Sequence, residues 1–466
     1  MSLSHLPQVH DWLRANEEDL INDLRALLRI PSLEEDALEN APFGQPNREA
    51  LDFMLALAEK WSMTTKDVEG YCGYADFGSG PSLLMSLGHL DVVPLGPGWK
   101  HEPFGAEIDE GYIYARGAND DKGPTMAMFY ACRAIQACVP DIGVRIRNVF
   151  GCNEESGFLC VKRYMQTEEV PTFGVAPDGG WPLIHAEKGI ADFVVERPVV
   201  QGPVSLVEIN GGQRPNIVID SCTARVEVAD EALLHMKAKV EENWDRNLTC
   251  EWEGNVLHLK AVGKAAHGSR PYGGDNAAIR IARFLKDSVP YTQESEYDDF
   301  FAVMHIGGNG IGIAGADEPS GPLTSNLGII QTVDGMIRLT LNVRYPVTFK
   351  GEDLKQRVEA HLAKLTGLYR LASMSDSKPL YFPLEHPMVE AICDVHHAET
   401  GETIAPGVMG GGTYARAVPN TVAIGTGWDG DGPAHETDER IKIDHVLKMS
   451  RIYAHIMLRL AEIAPK

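Results

Sequence analysis

Histidine and carboxylate side chains are concentrated in five short polar runs of the sequence. The runs hold His89 and Asp91 in GHLDVVP (88–94), Asp120 and Asp121 in RGANDDKGP (116–124), Glu154 and Glu155 in GCNEESGF (151–158), Asp178 in APDGG (176–180), and His435 in DGPAHETDE (431–439). Imidazole and carboxylate together form the ligand set that Zn²⁺, Mn²⁺ or Co²⁺ accepts in proteins. One such run alone is usually part of a solvated surface, but five in one chain favour metal-dependent chemistry.

The spacing within the runs indicates separate roles. In an extended strand, the side chains of His89 and Asp91 point the same way, so Asp91 can accept a hydrogen bond from the imidazole and fix its tautomer. The two oxygens of Asp120 can bridge two cations about 3.5–4 Å apart, as two-metal hydrolases require. The adjacent carboxylates Glu154 and Glu155 leave the chain in different directions, so one can bind metal while the other takes a proton from water.

Two further segments are ambiguous from their residues alone. His267 lies in KAAHGSRPYGGDNAA (264–278), a loop with glycine and proline that leads into a predicted helix, and a loop histidine serves either structure or chemistry. The glycines of GGGTYAR (410–416) fit either a turn or a set of backbone amides that binds an anion such as a peptide carboxylate. The GxGxxG spacing of a dinucleotide-binding loop is missing from this run.

Predicted strands precede the polar runs. Apolar segments that end in polar residues include 82–91, 144–152, 173–178 and 421–425, and helices are predicted at 9–28, 124–138, 157–166 and 439–463. This alternation predicts an α/β fold with a mainly parallel sheet and helices on both faces. Because open α/β sheets bind ligands beyond the carboxyl ends of their strands, we expect all five runs to meet at one sheet edge.

The pattern changes between residues 189 and 381. Strands such as ADFVVER, SLVEING, TARVEV and IRLTLNVRYP alternate there with helical stretches at 231–243, 275–287 and 352–365. This segment is predicted to be an inserted α+β domain. The domain that carries the polar runs is therefore predicted to be discontinuous, with its two parts at 1–188 and 382–466.

Composition excludes several classes of function. The net charge of −24 argues against binding to nucleic acid or to an anionic membrane. No segment approaches the roughly 18 apolar residues of a membrane span, and the first residues lack the pattern of a signal peptide, so a cytoplasmic protein is expected. The eight cysteines are scattered and form no CxxC pair, which is typical of free thiols in a reducing compartment.

Taken together, these segments resemble the signatures of a known family, the co-catalytic zinc peptidases. The family includes aminoacylases, carnosinases, succinyl-diaminopimelate desuccinylases and bacterial dipeptidases of the PepV type. The matching segments span nearly the whole chain and are SLGHLDVVP, RGANDDKGP, GCNEESG, APDGG, KAAHGSRP, GGGTYAR and PAHETDE. The resemblance implies a catalytic domain of the zinc-exopeptidase type that is interrupted by a lid domain.

The resemblance also implies a role for each matching residue. One zinc ion would be bound by His89, Asp120 and Asp178, and a second by Asp120, Glu155 and His435, with Mn²⁺ or Co²⁺ able to substitute. Asp91 would orient His89, Glu154 would be the general base, and His267 would polarise the scissile carbonyl. The carboxylate end of the substrate would be bound by Asn216, Arg344 and the loop of Gly411, Gly412 and Thr413.

The implied function is a metal-dependent dipeptidase that hydrolyses dipeptides or very short peptides with a free amino terminus. Aspartate at the position of Asp178 is typical of aminopeptidase and dipeptidase members, whereas glutamate is typical of carboxypeptidase and deacylase members. The main alternative is an N-acyl amino-acid deacylase on the same scaffold, and a remote one is a metal-binding relative without catalysis. Either a monomer or a homodimer is expected.

Overall fold

A computed structural model describes residues 2–466, which form two compact units. The first unit contains the chain up to His185 together with Phe382–Gly407 and Gly412–Lys466. The second contains Ala186–Tyr381 and Val408–Gly411. The predicted boundaries lay at 188/189 and 381/382, and the assignment of 408–411 to the second unit had no counterpart in the sequence pattern.

A nine-stranded sheet contains the predicted strands of the first unit. Its strands, in spatial order, are Thr64–Val68, Cys72–Gly78, Arg145–Gly151, Leu83–His89, Phe173–Gly179, Thr421–Gly425, Leu183–Glu187 and Leu380–Tyr381, and Gly407–Met409 also pairs with Leu183–Glu187. The four strands from Arg145–Gly151 to Thr421–Gly425 are parallel, and the flanking pairs are antiparallel. All residues of Leu83–His89 are buried, as expected for a strand that is covered on both faces. The predicted α/β fold is confirmed.

The helices of the first unit supply the apolar surface that covers this sheet. They are Leu6–Ala15, Glu17–Leu28, Gln45–Lys60, Lys122–Cys138, Leu159–Thr167, Pro387–Thr400 and Ile443–Ile463, with short 3₁₀ turns at Ser2–His5 and Tyr414–Ala417. The single helix predicted over 9–28 is wrong, because the chain breaks at Asn16, where the side chain donates to the carbonyl of Trp12 at 2.7 Å. Asparagine favours such breaks since its amide competes for backbone hydrogen bonds.

One polar run does not follow the main sheet. The run that contains Asp120 comes after Tyr112–Tyr114, which belongs to a separate three-stranded antiparallel sheet with Glu107–Asp109 and Arg440–Lys442. Asp120 is therefore positioned by the loop that enters the helix Lys122–Cys138. The expectation that every run follows a strand of one sheet is thus wrong for this run.

The second unit is built on an eight-stranded antiparallel sheet. In spatial order its strands are Leu248–Glu253, Val256–Val262, Ser221–Val228, Val204–Gly211, Thr324–Val333, Met336–Tyr345, Gly189–Pro198 and Arg370–Met374. Its helices are Asp230–Glu242, Ala277–Ser288, Glu294–Ala302 and Gly351–Leu362, and its short elements are Ala316–Asp317, Gly321–Pro322, Pro271–Gly273, Tyr291–Gln293 and Asn309–Ile311. Strands such as Val256–Val262 alternate buried and more exposed residues, which leaves one face for the helices to cover.

Within residues 2–466, every helix is too short or too polar to cross a membrane.

Candidate active site

Parallel strands deliver several candidate ligands to one edge of the main sheet. His89 is the last residue of Leu83–His89, and Asp178 is the last but one of Phe173–Gly179. His89 is in register with Gly151, so the loop that follows Gly151 brings Glu154 and Glu155 beside the imidazole. Two compact sets of potential ligand atoms result, His89 with Glu154 and Asp178, and His89 with Asp120 and Glu155.

The carboxylate of Asp120 lies between two imidazoles. Its Oδ1 is 3.1 Å from Nε2 of His89, and its Oδ2 is 3.0 Å from Nε2 of His435. Nε2 of His435 is also 3.1 Å from Oε1 of Glu155. Asp120 therefore presents one oxygen to each imidazole, which is the arrangement that a carboxylate bridging two cations needs.

The expected hydrogen bond between the side chains of His89 and Asp91 is not formed. Nδ1 of His89 donates instead to the backbone carbonyl of Asp91 at 2.9 Å, and the nearest carboxylate oxygen is 3.6 Å away. The Asp91 carboxylate accepts from the backbone amides of Glu154 and Glu155, both at 3.0 Å. Asp91 thus holds the loop that carries the two glutamates, because a carboxylate with two oxygens can accept both amides at once.

The carbonyl of Asp91 fixes the tautomer of His89. A carbonyl can only accept, so the ring proton of the neutral imidazole lies on Nδ1 and the lone pair of Nε2 faces Asp120. A lone pair and a carboxylate oxygen at this separation attract a cation placed between them. The same donor arrangement orients metal-binding histidines in general.

Burial and mutual repulsion destabilise the ionised form of the carboxylates in this cluster. Burial raises the pKa of Glu154 and of Asp178 well above the ordinary values, and neighbouring carboxylates add to the effect. Hydrogen bonds to Asp120 and Glu155 raise the pKa of His435 to about 10. Divalent cations would supply the positive charge that keeps the carboxylates ionised and the imidazoles neutral, so the donor set fits metal ions.

Asp121 is buried beside the cluster without joining it. Its Oδ2 accepts from the backbone amide of His89 at 3.1 Å and from Oγ1 of Thr125 at 2.8 Å. Burial raises its pKa to about 8. These contacts attach the end of the strand Leu83–His89 to the first turn of the helix that follows Asp120.

The second unit brings together Asn216, predicted to bind substrate, and His267, predicted to be catalytic. The backbone amide of Gly268 donates to the carbonyl of Asn216 at 2.7 Å, and Ile217 pairs with His267. Both Asn216 and His267 are exposed. Nδ1 of His267 accepts from the amide of Ser269 at 3.2 Å and lies 2.7 Å from its hydroxyl, so the proton of the neutral ring lies on Nε2.

Arg344 is nearly fully buried in the second unit, at 4% exposure. Its Nε donates to Oδ1 of Asn342 at 3.0 Å, and Nη1 donates to the carbonyl of Gly410 at 2.8 Å. These two contacts fix the plane of the guanidinium. They also place Arg344 next to Gly410, at the start of the glycine run.

The predicted loop residues are divided between the units. Gly411 belongs to the second unit, whereas Gly412 and Thr413 belong to the first. The hydroxyl of Thr413 accepts from the amide of Ala415 at 3.2 Å and so caps the turn Tyr414–Ala417. A Cβ on Gly412 would lie 2.4 Å from Nη1 of Arg416, so glycine permits this close approach.

Tyr414 is a residue of the site that the sequence analysis missed. Its hydroxyl is 2.8 Å from Sγ of Cys160 and accepts from the amide of Asn153 at 3.4 Å, and its ring packs edge-on against the imidazole of His89. A Cβ on Gly151 would lie 2.3 Å from that hydroxyl, so glycine is required there. A tyrosine within an otherwise small and polar run was the only signal in the sequence.

Comparison with known proteins gives a consistent result. Residues 85–459 match the model of peptidase family M20/M25/M40, a range that includes every candidate ligand. The chain is 36% identical to "Putative dipeptidase YtjP" of Bacillus subtilis, with 96% of this chain and 98% of the relative covered. It is 33% identical to a "Putative dipeptidase" of Staphylococcus epidermidis, with 94% and 96% covered.

Solved structures show the same fold at low sequence identity. Human carnosine dipeptidase 1 is 16% identical with a TM-score of 0.54, covering 98% of this chain and 99% of its own. The M20 family metallo-carboxypeptidase Sso-CP2 of Sulfolobus solfataricus is 16% identical with a TM-score of 0.56, covering 95% and 99%. The family resemblance predicted from the sequence is confirmed, and the chain belongs to peptidase family M20/M25/M40, a family of metallopeptidases.

Proposed function

We propose that this chain is a dipeptidase that works with two zinc ions. The observation that carries the proposal is the position of Asp120, whose two oxygens lie 3.1 and 3.0 Å from the ring nitrogens of His89 and His435. Asp178 and Glu155 would complete the two ligand sets. The descriptions of the similar Bacillus and Staphylococcus proteins support a dipeptide as the substrate.

Two divalent cations, when bound, would polarise the scissile carbonyl and lower the pKa of the attacking water. Glu154 would take the proton from that water and give it to the leaving amine. Burial raises the pKa of its carboxyl in the absence of metal ions, and the bound cations would keep the carboxylate ionised and able to accept this proton. The bond from its backbone amide to Asp91 holds it in place while its side chain moves the proton.

The second unit would supply substrate recognition. The guanidinium of Arg344, oriented by Asn342 and Gly410, is suited to bind the carboxylate end of a peptide in two hydrogen bonds. Asn216 and the residues 411–413 would contribute further donors. Recognition of the free carboxylate would restrict substrates to very short peptides.

A panel of substrates tests the reaction. We expect free dipeptides to be hydrolysed much faster than tripeptides, N-acetyl amino acids or N-succinyl compounds, measured as kcat/KM with added Zn²⁺. An N-acetylated dipeptide of the same sequence is the matched control, because it removes only the free amino group. Faster turnover of the acylated compounds would support a deacylase instead.

Metal removal tests the site. Exhaustive dialysis against a chelator is expected to abolish activity, and Zn²⁺, Mn²⁺ or Co²⁺ is expected to restore it with about two ions per chain at saturation. Metal content and activity are measured on the same samples. Full activity in a sample that contains no metal would rule out the proposed chemistry.

We also propose a cytoplasmic location. The eight cysteines are all free thiols, five of them buried, as is typical of a reducing compartment. Whether the enzyme is a monomer or a homodimer stays a prediction.

A further inference from the structure

A buried ion pair lies behind the candidate metal ligands. Arg116 and Glu439 are 1% and 0% exposed, and Nη1 of Arg116 is 2.7 Å from Oε2 of Glu439. Both residues belong to the polar runs that carry ligands, Arg116 four positions before Asp120 and Glu439 four positions after His435. Neither residue belongs to the compact sets of ligand atoms.

Glu439 holds the loop of Asp120 through its other carboxylate oxygen. Oε1 accepts from the backbone amide of Asn119 at 2.9 Å and from that of Asp120 at 3.1 Å. The backbone carbonyl of Glu439 also accepts from the amide of Ala115 at 3.0 Å. The backbone that leads up to and includes Asp120 is therefore attached to the segment that follows His435.

Arg116 attaches the same network to two other loops. Nη1 donates to the carbonyl of Glu436, the neighbour of His435, at 3.1 Å. Nη2 donates to the carbonyls of Pro94 and Leu95 at 3.3 and 3.4 Å, in the segment that follows His89 and Asp91. One planar guanidinium thus contacts the loops that follow two of the candidate ligands.

These contacts matter because the proposed centre depends on Asp120 lying between two imidazoles. The strand Leu83–His89 fixes His89, but Asp120 and His435 both lie in loops outside the main sheet. His435 is half exposed, with 54% of its side chain accessible, so little packing holds it. The strands Tyr112–Tyr114 and Arg440–Lys442 join these two segments farther from the ligands, and the ion pair connects the backbone of Asp120 itself to the backbone beside His435.

We propose that Arg116 and Glu439 are positioning residues for the metal centre, which hold the Asp120 loop and the His435 loop in register. The proposal rests on the proposed metal site but not on the identity of the substrate. An amide in place of the Glu439 carboxylate has one oxygen and one NH2 group, so either the two buried backbone amides or the guanidinium of Arg116 would face a donor in place of an acceptor. The Asp120 loop would then shift, and metal ions would bind more weakly.

A buried ion pair can also serve stability alone, so a second pair in the same unit provides the control. Arg147 and Asp76 form a bidentate pair with two contacts of 2.8 Å between neighbouring strands, and their side chains are 7% and 25% exposed. Asp76→Asn and Glu439→Gln are the same chemical change in two partly or fully buried pairs. Of the two pairs, the one formed by Arg116 and Glu439 contacts the loops that carry ligands.

The experiment measures zinc affinity by competition with a chromogenic chelator, together with the melting temperature with and without zinc. For Glu439→Gln we expect zinc affinity to fall about 10- to 100-fold, the usual effect of removing a partner that orients a ligand. The rise in melting temperature caused by zinc should shrink accordingly. For Asp76→Asn, the metal-free protein should melt earlier while zinc affinity stays at the wild-type value.

Arg116→Lys keeps the charge but cannot reach three carbonyls and a carboxylate together, because an ammonium lacks the planar fork. We expect a folded protein with weaker zinc binding, and this variant decides the matter if Glu439→Gln does not fold. Zinc affinity within about twofold of wild type in a folded Glu439→Gln or Arg116→Lys protein would overturn the proposal. A wild-type protein that binds no zinc would instead remove the proposed metal centre.

Discussion

Replacing Glu154 with glutamine is expected to leave the metal content unchanged and to lower kcat by at least ~10²-fold, the usual scale for a lost general base. Glutamine has nearly the same shape, and the bond from the backbone amide of residue 154 to Asp91 does not involve the side chain. The loop should therefore stay in place while the group that takes the proton from water is lost. The measurement combines kcat, KM and metal analysis on one preparation.

The matched control is Glu155→Gln, one residue along the same loop. Glu155 contacts Nε2 of His435 and is the predicted ligand, so this change should lower metal content as well as activity. The compact set of His89, Glu154 and Asp178 makes the comparison necessary, since an oxygen of Glu154 lies within 4.8 Å of potential ligand atoms of the other two residues. If Glu154→Gln loses metal but regains turnover at high zinc concentration, the roles of the two glutamates are exchanged.

The pattern of apolar and polar residues along the chain was sufficient to predict the main architecture. The strand Leu83–His89 and the helix Lys122–Cys138 were predicted almost to the residue because each is a long apolar run with a clear end. The hairpin Thr64–Val68 with Cys72–Gly78 and the helix Gln45–Lys60 were missed, since their apolar patterns are short or mixed. The break at Asn16 depends on one side-chain hydrogen bond, which periodicity does not reveal.

The residue types of the candidate site could be read from the sequence, but their partners could not. The spacing of His89 and Asp91 predicted a contact between side chains, and the structure instead uses the backbone carbonyl of Asp91. A carbonyl is present at every position, so no sequence pattern marks this contact. The partner of Arg116 is likewise separated from it by more than 300 residues along the chain.

His267→Ala is expected to lower kcat by roughly 10²–10³, the cost of removing one donor to a developing oxyanion. The amide of Ser269 donates to Nδ1, which leaves the proton of the neutral ring on Nε2, as a donor to such an oxygen requires. KM should change less, because a bond made mainly in the transition state adds little to the binding of the substrate. Metal content should stay the same, since none of the candidate ligands is changed.

The control for His267→Ala is His258→Ala, in the strand Val256–Val262 of the same unit. His258 has 45% of its side chain exposed and is 3.3 Å from Glu253, so it is a histidine of the surface with a charged neighbour. Its removal should leave kcat, KM and metal content at wild-type values. A purely structural His267 would instead lower the melting temperature of its alanine variant while the folded fraction kept a normal kcat. Since both variants lose one exposed imidazole from the same unit, a fall in kcat confined to His267→Ala would assign that loss to the chemistry of this position.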